Sequence, residues 1–360
     1  MHIHFTYAGG TIGMVDSPRG LRPGADLEGW LSGLIPGFAA PPLTPRETAA
    51  PQSNAPAPRP SPTPDATYSL TALQPLLDSA DATPSTWQAI VDDVRRHAGR
   101  ADAFVVLHGT DTLAYTTAAL SYALTELSQP IVVTGSQLPL NAAGSDAAAN
   151  VTGALYALTH GAPRGVHLFF GGRLLAGNRA TKLSTWAFQG FDSPLSPALA
   201  VAGAPWHWSP GGPTAGAGWS SPLPFTTHDV VVVDLVPGLS AARLRAALTP
   251  SPVAVILRAF GVGNLPGAPD GPVSVLAEAV RAGITVVLAS QCLQGEVALD
   301  RYAAGAGAAE VGAVGSGDMT LEATYAKLQF LASQGLRGAE LGAWLGRNLA
   351  GELTEPAAQR

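Results

Sequence analysis

The sequence contains little cysteine and little charge. Cys292 is the single cysteine, which excludes an internal disulfide and favours a reducing compartment such as the cytoplasm. Only 13% of the 360 residues are charged and 46% are hydrophobic, which indicates a globular chain with a large core. No apolar run approaches the roughly 20 residues of a membrane span. A strand-like pattern begins at His2 without a signal peptide. We therefore expect a cytoplasmic protein with no membrane partner.

Basic residues are scarce, and lysine is almost absent. The formal net charge of −6 argues against nucleic acid as a partner, because broad nucleic-acid binding needs a basic surface. Of the 20 basic residues, only Lys182 and Lys327 are lysine. Arginine stays protonated in proteins, whereas a buried lysine can release its proton. Each lysine is therefore a candidate for a titratable amine with a function. The alternative is that the lysine is retained by chance and has no such role. For Lys327, in the amphipathic run 320–331, we expect a solvent-facing or interface role.

Several catalytic motifs are missing. The chain has no Gly-x-Ser-x-Gly elbow, no His-Glu-x-x-His and no cysteine pair. It also lacks Gly-x-Gly-x-x-Gly and the Gly-Lys-Ser/Thr ending of a phosphate-binding loop. We expect an activity that needs neither a metal nor a cofactor.

One buried strand ends in polar residues. Four apolar residues, 104–107, predict a strand covered on both faces, and His108-Gly109-Thr110-Asp111-Thr112 follows it. The helical pattern 113–127 comes next, so a hydroxyl and a carboxylate stand where a strand gives way to a helix. Ligands bind at this edge of open parallel sheets. The alternative is that Thr110 and Asp111 only cap the helix.

Three further stretches belong to the same predicted edge. The first strand, 2–7, runs into Ala8-Gly9-Gly10-Thr11-Ile12-Gly13, where glycines allow a tight turn close to a ligand. A plain turn and a phosphate cradle are the alternatives. Asp78-Ser79-Ala80 precedes a helix that begins at Pro84, and its polar side chains could bind a ligand. The alternative is that they only form a turn or cap the helix. Gly177-Asn178-Arg179-Ala180-Thr181-Lys182 follows the strand 166–170 and brings one lysine to this edge.

Alternating strands and helices predict an α/β protein with two α/β domains. We expect an N-terminal domain at 1–202 with a Pro-rich surface insertion at 36–64, a linker at 203–226, and a C-terminal α/β domain at 227–360. Predicted strands are 2–7, 104–107, 131–137, 166–170, 230–235, 253–260 and 285–291. Predicted helices are 26–34, 84–97, 113–127, 240–249, 272–282, 320–334 and 338–350.

The polar residues at the edge suggest one kind of chemistry. A threonine hydroxyl is a weak nucleophile until a base accepts its proton, and a lysine amine can be that base. An aspartate can then pair with the ammonium group of a substrate. This set of groups suits the hydrolysis of a small amino-acid amide.

The chain resembles the bacterial-type L-asparaginases, most closely their cytoplasmic type I branch. The resemblance rests on motifs in the same order along nearly the whole chain: 8–14, 108–112, 134–137, 177–182, 260–264, 291–292 and 317–320. It implies a larger N-terminal domain with a doubly wound, mostly parallel, flavodoxin-like sheet and a smaller C-terminal parallel sheet with helices. The implied activity is hydrolysis of L-asparagine to L-aspartate and ammonia, without a cofactor.

The resemblance also implies roles for single residues. Thr11 would be the nucleophile, and Lys182 would accept a proton from Thr110. Asp111 would bind the substrate α-ammonium group. Asp78, Ser79 and the Ala80 backbone would hold the α-carboxylate and α-amino groups, and N–H groups near Ala80 and Thr110 would form an oxyanion hole.

The chain departs from the family at one position of the loop 14–24. The family has a tyrosine there that contacts the nucleophile, whereas this chain has Leu21. The resemblance therefore leaves open how Thr11 is activated.

Type I relatives also bind a second, activating asparagine. The matching stretch here is Ser290-Gln291-Cys292, and the matching arginine is Arg258. A lone cysteine on a buried strand is usually a core residue, which is the alternative for Cys292. The family pairs two subunits around each active site, so we expect a homodimer or homotetramer.

Two other functions remain as alternatives. An asparaginase-like subunit of a tRNA-dependent amidotransferase would carry an extra N-terminal domain, which the strand-like pattern from His2 disfavours. It would also approach tRNA, which the acidic net charge disfavours. A non-catalytic asparagine-sensing protein would not need a titratable amine at Lys182.

Overall fold

The computed structural model describes residues 1–18, 20–35, 66–210, 216–268, 270–299 and 303–354. The predicted Pro-rich insertion, 36–64, lies outside these residues. Among the helices of the described part, none combines the length and apolar character required to cross a bilayer.

The strands in chain order are β1 (His2–Gly9), β2 (Met14–Val15), β3 (Arg22–Pro23), β4 (Thr67–Leu77), β5 (Ala103–Leu107), β6 (Pro130–Thr134), β7 (Gly165–Phe170), β8 (Arg173–Ala176), β9 (Thr181–Lys182), β10 (Phe191–Asp192), β11 (Ala200–Val201), β12 (His207–Trp208), β13 (Val230–Asp234), β14 (Ala254–Ala259), β15 (Thr285–Ser290) and β16 (Val314–Gly315).

The α-helices are α1 (Leu27–Leu34), α2 (Pro84–His97), α3 (Leu113–Ala123), α4 (Ala147–His160), α5 (Ala241–Ala247), α6 (Pro272–Arg281), α7 (Ala303–Glu310), α8 (Leu321–Ser333) and α9 (Gly338–Leu345). Thr11–Gly13 and Ser79–Asp81 each form a single turn of 3-10 helix.

The larger sheet has the order β12-β11-β8-β7-β6-β5-β1-β4. Strands β4, β1, β5, β6 and β7 are parallel, and β8, β11 and β12 extend the sheet with antiparallel pairing. Numbered along the chain, the parallel strands follow the order 2-1-3-4-5, which is the flavodoxin-like order. The predicted doubly wound, mostly parallel sheet is confirmed.

The smaller sheet is formed by β13-β14-β15-β16, all parallel. Its inward side chains pack with α5 and α6 on one face, and α8 and α9 lie against the other face. Helix α8 also packs on α3, which joins the two sheets through one hydrophobic cluster. The predicted C-terminal parallel sheet is confirmed.

The strand order places a crevice beside β1. From β1 the chain crosses to β4 on one side, and from β4 it crosses to β5 on the other side, so the direction of winding reverses there. Ligands of open α/β sheets bind at such a reversal, outside the carboxyl ends of the strands. The strand order therefore places the residues that follow β1, β4 and β5 next to this crevice.

A buried polar cluster lies at the opposite end of β1. Asp93 of α2 accepts a hydrogen bond from Thr6 at 2.7 Å and pairs with His4 Nε2 at 3.0 Å and Arg96 at 3.0 Å. Burial opposes ionisation of Asp93, but the hydrogen bonds from His4 and Thr6 outweigh it and hold its pKa below the ordinary value. The rings of His4 and His97 stack at 3.7 Å, so they do not converge in plane on one cation. We interpret the cluster as a hydrogen-bond network of the core.

Candidate active site

Lys182 brings the predicted polar residues together. Its side-chain nitrogen, Nζ, donates to Thr110 Oγ1 at 2.9 Å and to Asp111 Oδ1 at 2.7 Å. The Asp111 side chain is 61% exposed and the Lys182 side chain 19% exposed, so the carboxylate faces solvent and the amine lies beneath it. Thr110 itself is buried. A hydroxyl, an amine and a carboxylate thus form one hydrogen-bonded group at the end of β5.

The turns that carry Thr11 and Thr110 are in backbone contact. Gly10 has φ 93°, a conformation that L side chains rarely adopt, and a Cβ there would lie 2.2 Å from Gly109 Cα. A Cβ on Gly109 would lie 3.0 Å from Gly10 Cα. Only a pair of glycines permits this approach. It brings the turn that carries Thr11 against the turn that carries Thr110.

The turn of Thr11 is supported from below. Ile12 is buried, and its carbonyl oxygen accepts a hydrogen bond from Leu140 N–H at 3.1 Å. The Tyr7 hydroxyl lies under Gly13, where a Cβ would come within 1.8 Å of it. Burial raises the pKa of Tyr7 to about 12, so this hydroxyl stays protonated at neutral pH. Thr11 therefore stands on a well-packed turn.

The third turn, at Asp78–Ala80, is joined to the second. Ser79 is buried; its hydroxyl oxygen accepts a hydrogen bond from Asp111 N–H at 3.3 Å, and its carbonyl accepts one from Thr112 Oγ1 at 2.7 Å. Asp78 is exposed and accepts from Ala80 N–H at 3.2 Å. Asp78 thus has the predicted cap role for its own turn, and its carboxylate is exposed.

The capping alternative for the second turn is wrong. Helix α3 begins at Leu113 with Thr112 as its N-cap, and no side-chain hydrogen bond caps it. Thr110 and Asp111 contact Lys182 instead of the helix terminus.

His108 supports the Thr110 turn, a role that the sequence did not reveal. It is buried, its Nδ1 lies 2.8 Å from Gly109 O, and its Nε2 lies 3.1 Å from Thr116 Oγ1. Burial lowers its pKa below the ordinary range, although the hydrogen bond to Gly109 acts in the opposite direction. A neutral ring that donates from Nδ1 satisfies both contacts. His108 therefore fixes the turn without adding charge.

The loop after Lys182 is tied to the motif that ends β6. Gln137 Nε2 donates to the carbonyl oxygens of Ser184 at 3.3 Å and Ala187 at 3.0 Å. The same loop exposes Leu183, Trp186 and Phe188, and Trp186 is 82% exposed. An apolar group of this kind beside a polar site is typical of a protein contact surface.

Leu21 lies in the loop that leads from β2 to β3. It is 46% exposed. A leucine side chain can neither donate nor accept a hydrogen bond, so this position cannot take the tyrosine's role toward Thr11.

Residues of the predicted second site line a separate cavity of about 120 Å³. Arg258, Ser290 and Cys292 border it, together with Thr181 and Glu322. Cys292 is exposed, so the core alternative for it is wrong.

Hydrogen bonds from two residues support the walls of this cavity. Gln291 is turned away and donates to the carbonyl oxygens of Leu235 at 2.6 Å and Arg258 at 2.8 Å. Thr181 donates to Glu322 at 2.6 Å. Because Thr181 precedes Lys182, one wall of the cavity is continuous with the backbone of the candidate base.

The expectation for Lys327 is wrong. Its side chain is fully buried and pairs with Glu352 Oε1 at 2.5 Å. It also donates to the carbonyl oxygen of Leu345 at 2.7 Å. The polar position in the α8 pattern faces another part of the chain instead of solvent or a second subunit.

Comparisons with known proteins agree along the whole chain. Residues 2–210 match the family model described as "Asparaginase, N-terminal", and residues 229–345 match the "Glutaminase/Asparaginase C-terminal domain". L-asparaginase 1 of Escherichia coli (strain K12) is 39% identical over 98% of this chain and 98% of its own length. The crystal structure of L-asparaginase I from Vibrio cholerae superposes with a TM-score of 0.80 at 35% identity and covers 98% of this chain and 99% of its own.

More distant relatives include one of the predicted alternatives. A component of the glutamyl-tRNA(Gln) amidotransferase of Aeropyrum pernix is 31% identical over 77% of this chain and 67% of its own length.

Proposed function

The chain belongs to the asparaginase family and is an amidohydrolase, and we propose that it converts L-asparagine and water to L-aspartate and ammonia with Thr11 as the nucleophile. The resemblance to the type I branch is confirmed by the full-length E. coli and Vibrio relatives. The single observation that carries the mechanism is the Lys182 amine in contact with both Thr110 and Asp111.

The reaction has two steps in this proposal. The Thr11 oxygen attacks the side-chain amide carbon of asparagine, and the C–N bond breaks to release ammonia and leave an ester. A water molecule then attacks the ester carbon, which frees aspartate and restores the Thr11 hydroxyl. In each step the attacking O–H loses its proton while the leaving atom gains one. Lys182, acting through Thr110, holds and returns that proton.

The substrate is held by its α-groups. Asp111, exposed at the mouth of the crevice, pairs with the α-ammonium group, and Asp78 borders the same space. Ser79 and the Ala80 backbone lie beneath and form the floor for the α-carboxylate. Backbone N–H groups near Ala80 and Thr110 stabilise the oxyanion, at about 3 kcal/mol per donor.

Ammonia release from L-asparagine by the purified protein, without added metal or cofactor, tests this function. An asparagine-sensing protein would bind asparagine and release no ammonia. An amidotransferase that acts on tRNA is disfavoured by the net charge of −6 and by the higher, full-length identity to an asparaginase. The single cysteine supports a cytoplasmic location.

Replacing Leu21 by tyrosine is expected to raise kcat several-fold. The new hydroxyl would supply the hydrogen-bonding group that leucine lacks in the loop beside Thr11. Steady-state assays on asparagine measure the change, and Leu21→Phe is the matched control because it adds the ring without the hydroxyl. Equal rates in the two variants, with both folded, would show that another group activates Thr11.

We infer that the active form is a homodimer or homotetramer. The exposed Leu183, Trp186 and Phe188 follow directly after Lys182, so a second copy of the chain seated on them would adjoin the active site. Burying these side chains removes apolar area from water and stabilises such a contact.

We also propose that the cavity lined by Arg258, Ser290 and Cys292 binds asparagine and activates the enzyme. Arg258 lines the cavity, pairs with Asp234 at 2.9 Å and can also donate to a carboxylate. Ser290 Oγ lies at the same wall, whereas Gln291 supports the wall through backbone contacts. Thr181 provides the link to Lys182. Asparagine bound in this cavity would raise the activity through β9, the strand that contains both Thr181 and Lys182.

The wild-type rate is then expected to depend sigmoidally on asparagine concentration, and Arg258→Ala to shift the activation midpoint upward. Asp234→Ala, which removes only the partner of Arg258, is the control. The measurement is initial rate over a wide asparagine range. A hyperbola that is the same in wild type and Arg258→Ala would contradict the activating site.

A further inference from the structure

The backbone just before Lys182 is fastened to the C-terminal part of the chain by one buried arginine. The Arg179 side chain is 4% exposed, and its Nη2 donates to Asp318 Oδ2 at 2.6 Å and to Thr354 Oγ1 at 3.1 Å. Its Nη1 donates to the carbonyl oxygen of Glu352. Arg179 thus contacts both the segment that precedes α8 and the last described residues of the chain.

The acceptors of Arg179 are themselves held in place. Asp318 Oδ1 accepts from Thr354 N–H at 3.0 Å, and Asp318 Oδ2 accepts from the Thr354 hydroxyl at 2.5 Å. Burial alone would raise the pKa of Asp318, but the hydrogen bonds from Arg179 and Thr354 hold it below the ordinary value. The carboxylate therefore stays charged opposite the guanidinium.

A second buried ion pair fixes the backbone at Glu352. Its carboxylate accepts from Leu349 N–H at 2.8 Å and Ala350 N–H at 2.6 Å, and it pairs with Lys327 at 2.5 Å. The two ion pairs meet at Glu352, because Lys327 binds its side chain and Arg179 binds its carbonyl oxygen. This arrangement gives Lys327 a structural role.

Thr181, the residue before Lys182, is also held by the C-terminal part of the chain. Thr181 donates to Glu322 in the first turn of α8 at 2.6 Å. Thr181 and Lys182 are neighbours in β9, so their side chains point to opposite faces of the strand. The C-terminal part therefore holds one face of this segment, and Lys182 reaches Thr110 from the other.

We propose that Arg179 is a positioning residue for Lys182: its buried pairing with Asp318 and its bond to the Glu352 backbone fix the segment from which the amine reaches Thr110. The inference rests on the proposed function of Lys182 as the base. Arg179 contacts neither Thr110 nor Asp111 among its hydrogen-bond partners in the described residues. Its effect on catalysis is through the placement of Lys182.

The pair can be removed without leaving an unpaired charge. Apolar residues of similar volume often replace a buried ion pair with little loss of stability. We expect Arg179→Met combined with Asp318→Leu to fold and to lower kcat at least about 10-fold, because small displacements of catalytic groups are costly. The KM for asparagine should change much less. Arg245→Met with Glu278→Leu, which removes an exposed pair at 2.6 Å between α5 and α6, should keep kcat.

A double-mutant cycle with Lys182→Ala separates positioning from a general structural effect. If Arg179 acts through Lys182, removing the Arg179–Asp318 pair costs little further kcat once Lys182 is alanine. An equal loss in both backgrounds, or full kcat with the pair removed, would overturn the proposal. If the Arg179→Met, Asp318→Leu variant fails to fold, the same cycle with Asp318→Asn tests whether the loss of kcat depends on Lys182. Unchanged kcat in Lys182→Ala alone would instead refute the role of Lys182 as the base, and Arg179 would then have nothing to position.

Discussion

Replacing Thr11 by alanine is expected to lower kcat on L-asparagine by about 10⁴-fold or more, the scale seen when a nucleophile is removed. Asparagine binding should remain, because the proposed α-group contacts lie on the other two turns, at Asp78 and Asp111. Steady-state ammonia release measures kcat, and calorimetric titration of the variant measures binding. Thr11→Ser, which keeps a hydroxyl on the same turn, is the matched control and should retain measurable turnover.

The geometry offers a rival nucleophile, because Lys182 contacts Thr110 and the contact to Thr11 is through the backbone turns. Both Thr11→Ala and Thr110→Ala should therefore lose turnover. The two threonines are distinguished when the reaction is quenched in acid and the protein is analysed by mass spectrometry. The aspartyl ester trapped from the wild type should map to Thr11. An ester on Thr110 would assign the nucleophile to Thr110, and a Thr11→Ala variant with a tenth of wild-type kcat would show that the nucleophile is a residue other than Thr11.

The site could be predicted from sequence because of how parallel sheets are built. Buried parallel strands such as β5 and β6 are continuous apolar runs, so their ends are visible where polar residues begin. The carboxyl ends of parallel strands meet at one edge. Thr11 and Thr110 are distant in sequence but follow the neighbouring parallel strands β1 and β5, so their convergence was an expected result. Lys182 follows β8, which is antiparallel to β7, so the rule for parallel strands does not account for its contact with Thr110.

The strand order could not be read from the residues themselves. Within the described residues, β4 pairs with β1 alone, and it is largely half-buried, with polar residues and Pro75 interrupting its apolar pattern. That sequence does not look like a strand of a parallel sheet, although its place beside β1 creates the reversal of winding at the crevice. Helix α4 also went unpredicted, because its alanine-rich sequence shows little contrast between an apolar and a polar face. The antiparallel strands were missed because they have only two to four residues and carry little periodicity.

Side chains whose partners lie far along the chain were also missed. The pattern of α8 puts Lys327 at a polar position, and a polar position normally faces solvent. Glu352 supplies the opposite charge from the end of the described chain, which allows the amine to be fully buried. Cys292 illustrates the reverse case. It follows the buried strand β15, but it lies past the strand end and is exposed.

Replacing Lys182 by arginine is expected to lower kcat by about 10²-fold or more, the usual scale of general acid–base catalysis. The guanidinium keeps the positive charge beside Asp111 but stays protonated, so it cannot accept the proton of Thr110. Lys182→Met is the matched variant, because it keeps much of the length and removes the charge. If only charge were needed beside Asp111, arginine would support near-normal turnover and methionine would not.

The second lysine is unsuitable as a silent control for this experiment. Lys327 is fully buried against Glu352, and an arginine there would have to fit a larger group into the same space. Lys327→Arg should therefore lower the melting temperature, with kcat largely kept in the folded fraction, whereas Lys182→Arg should lower kcat and keep the melting temperature. Circular dichroism melts and kcat on asparagine, measured for both, separate the two roles. Near-normal kcat in Lys182→Arg, together with a low kcat in Lys182→Met, would show that Lys182 supplies charge and that another group accepts the proton.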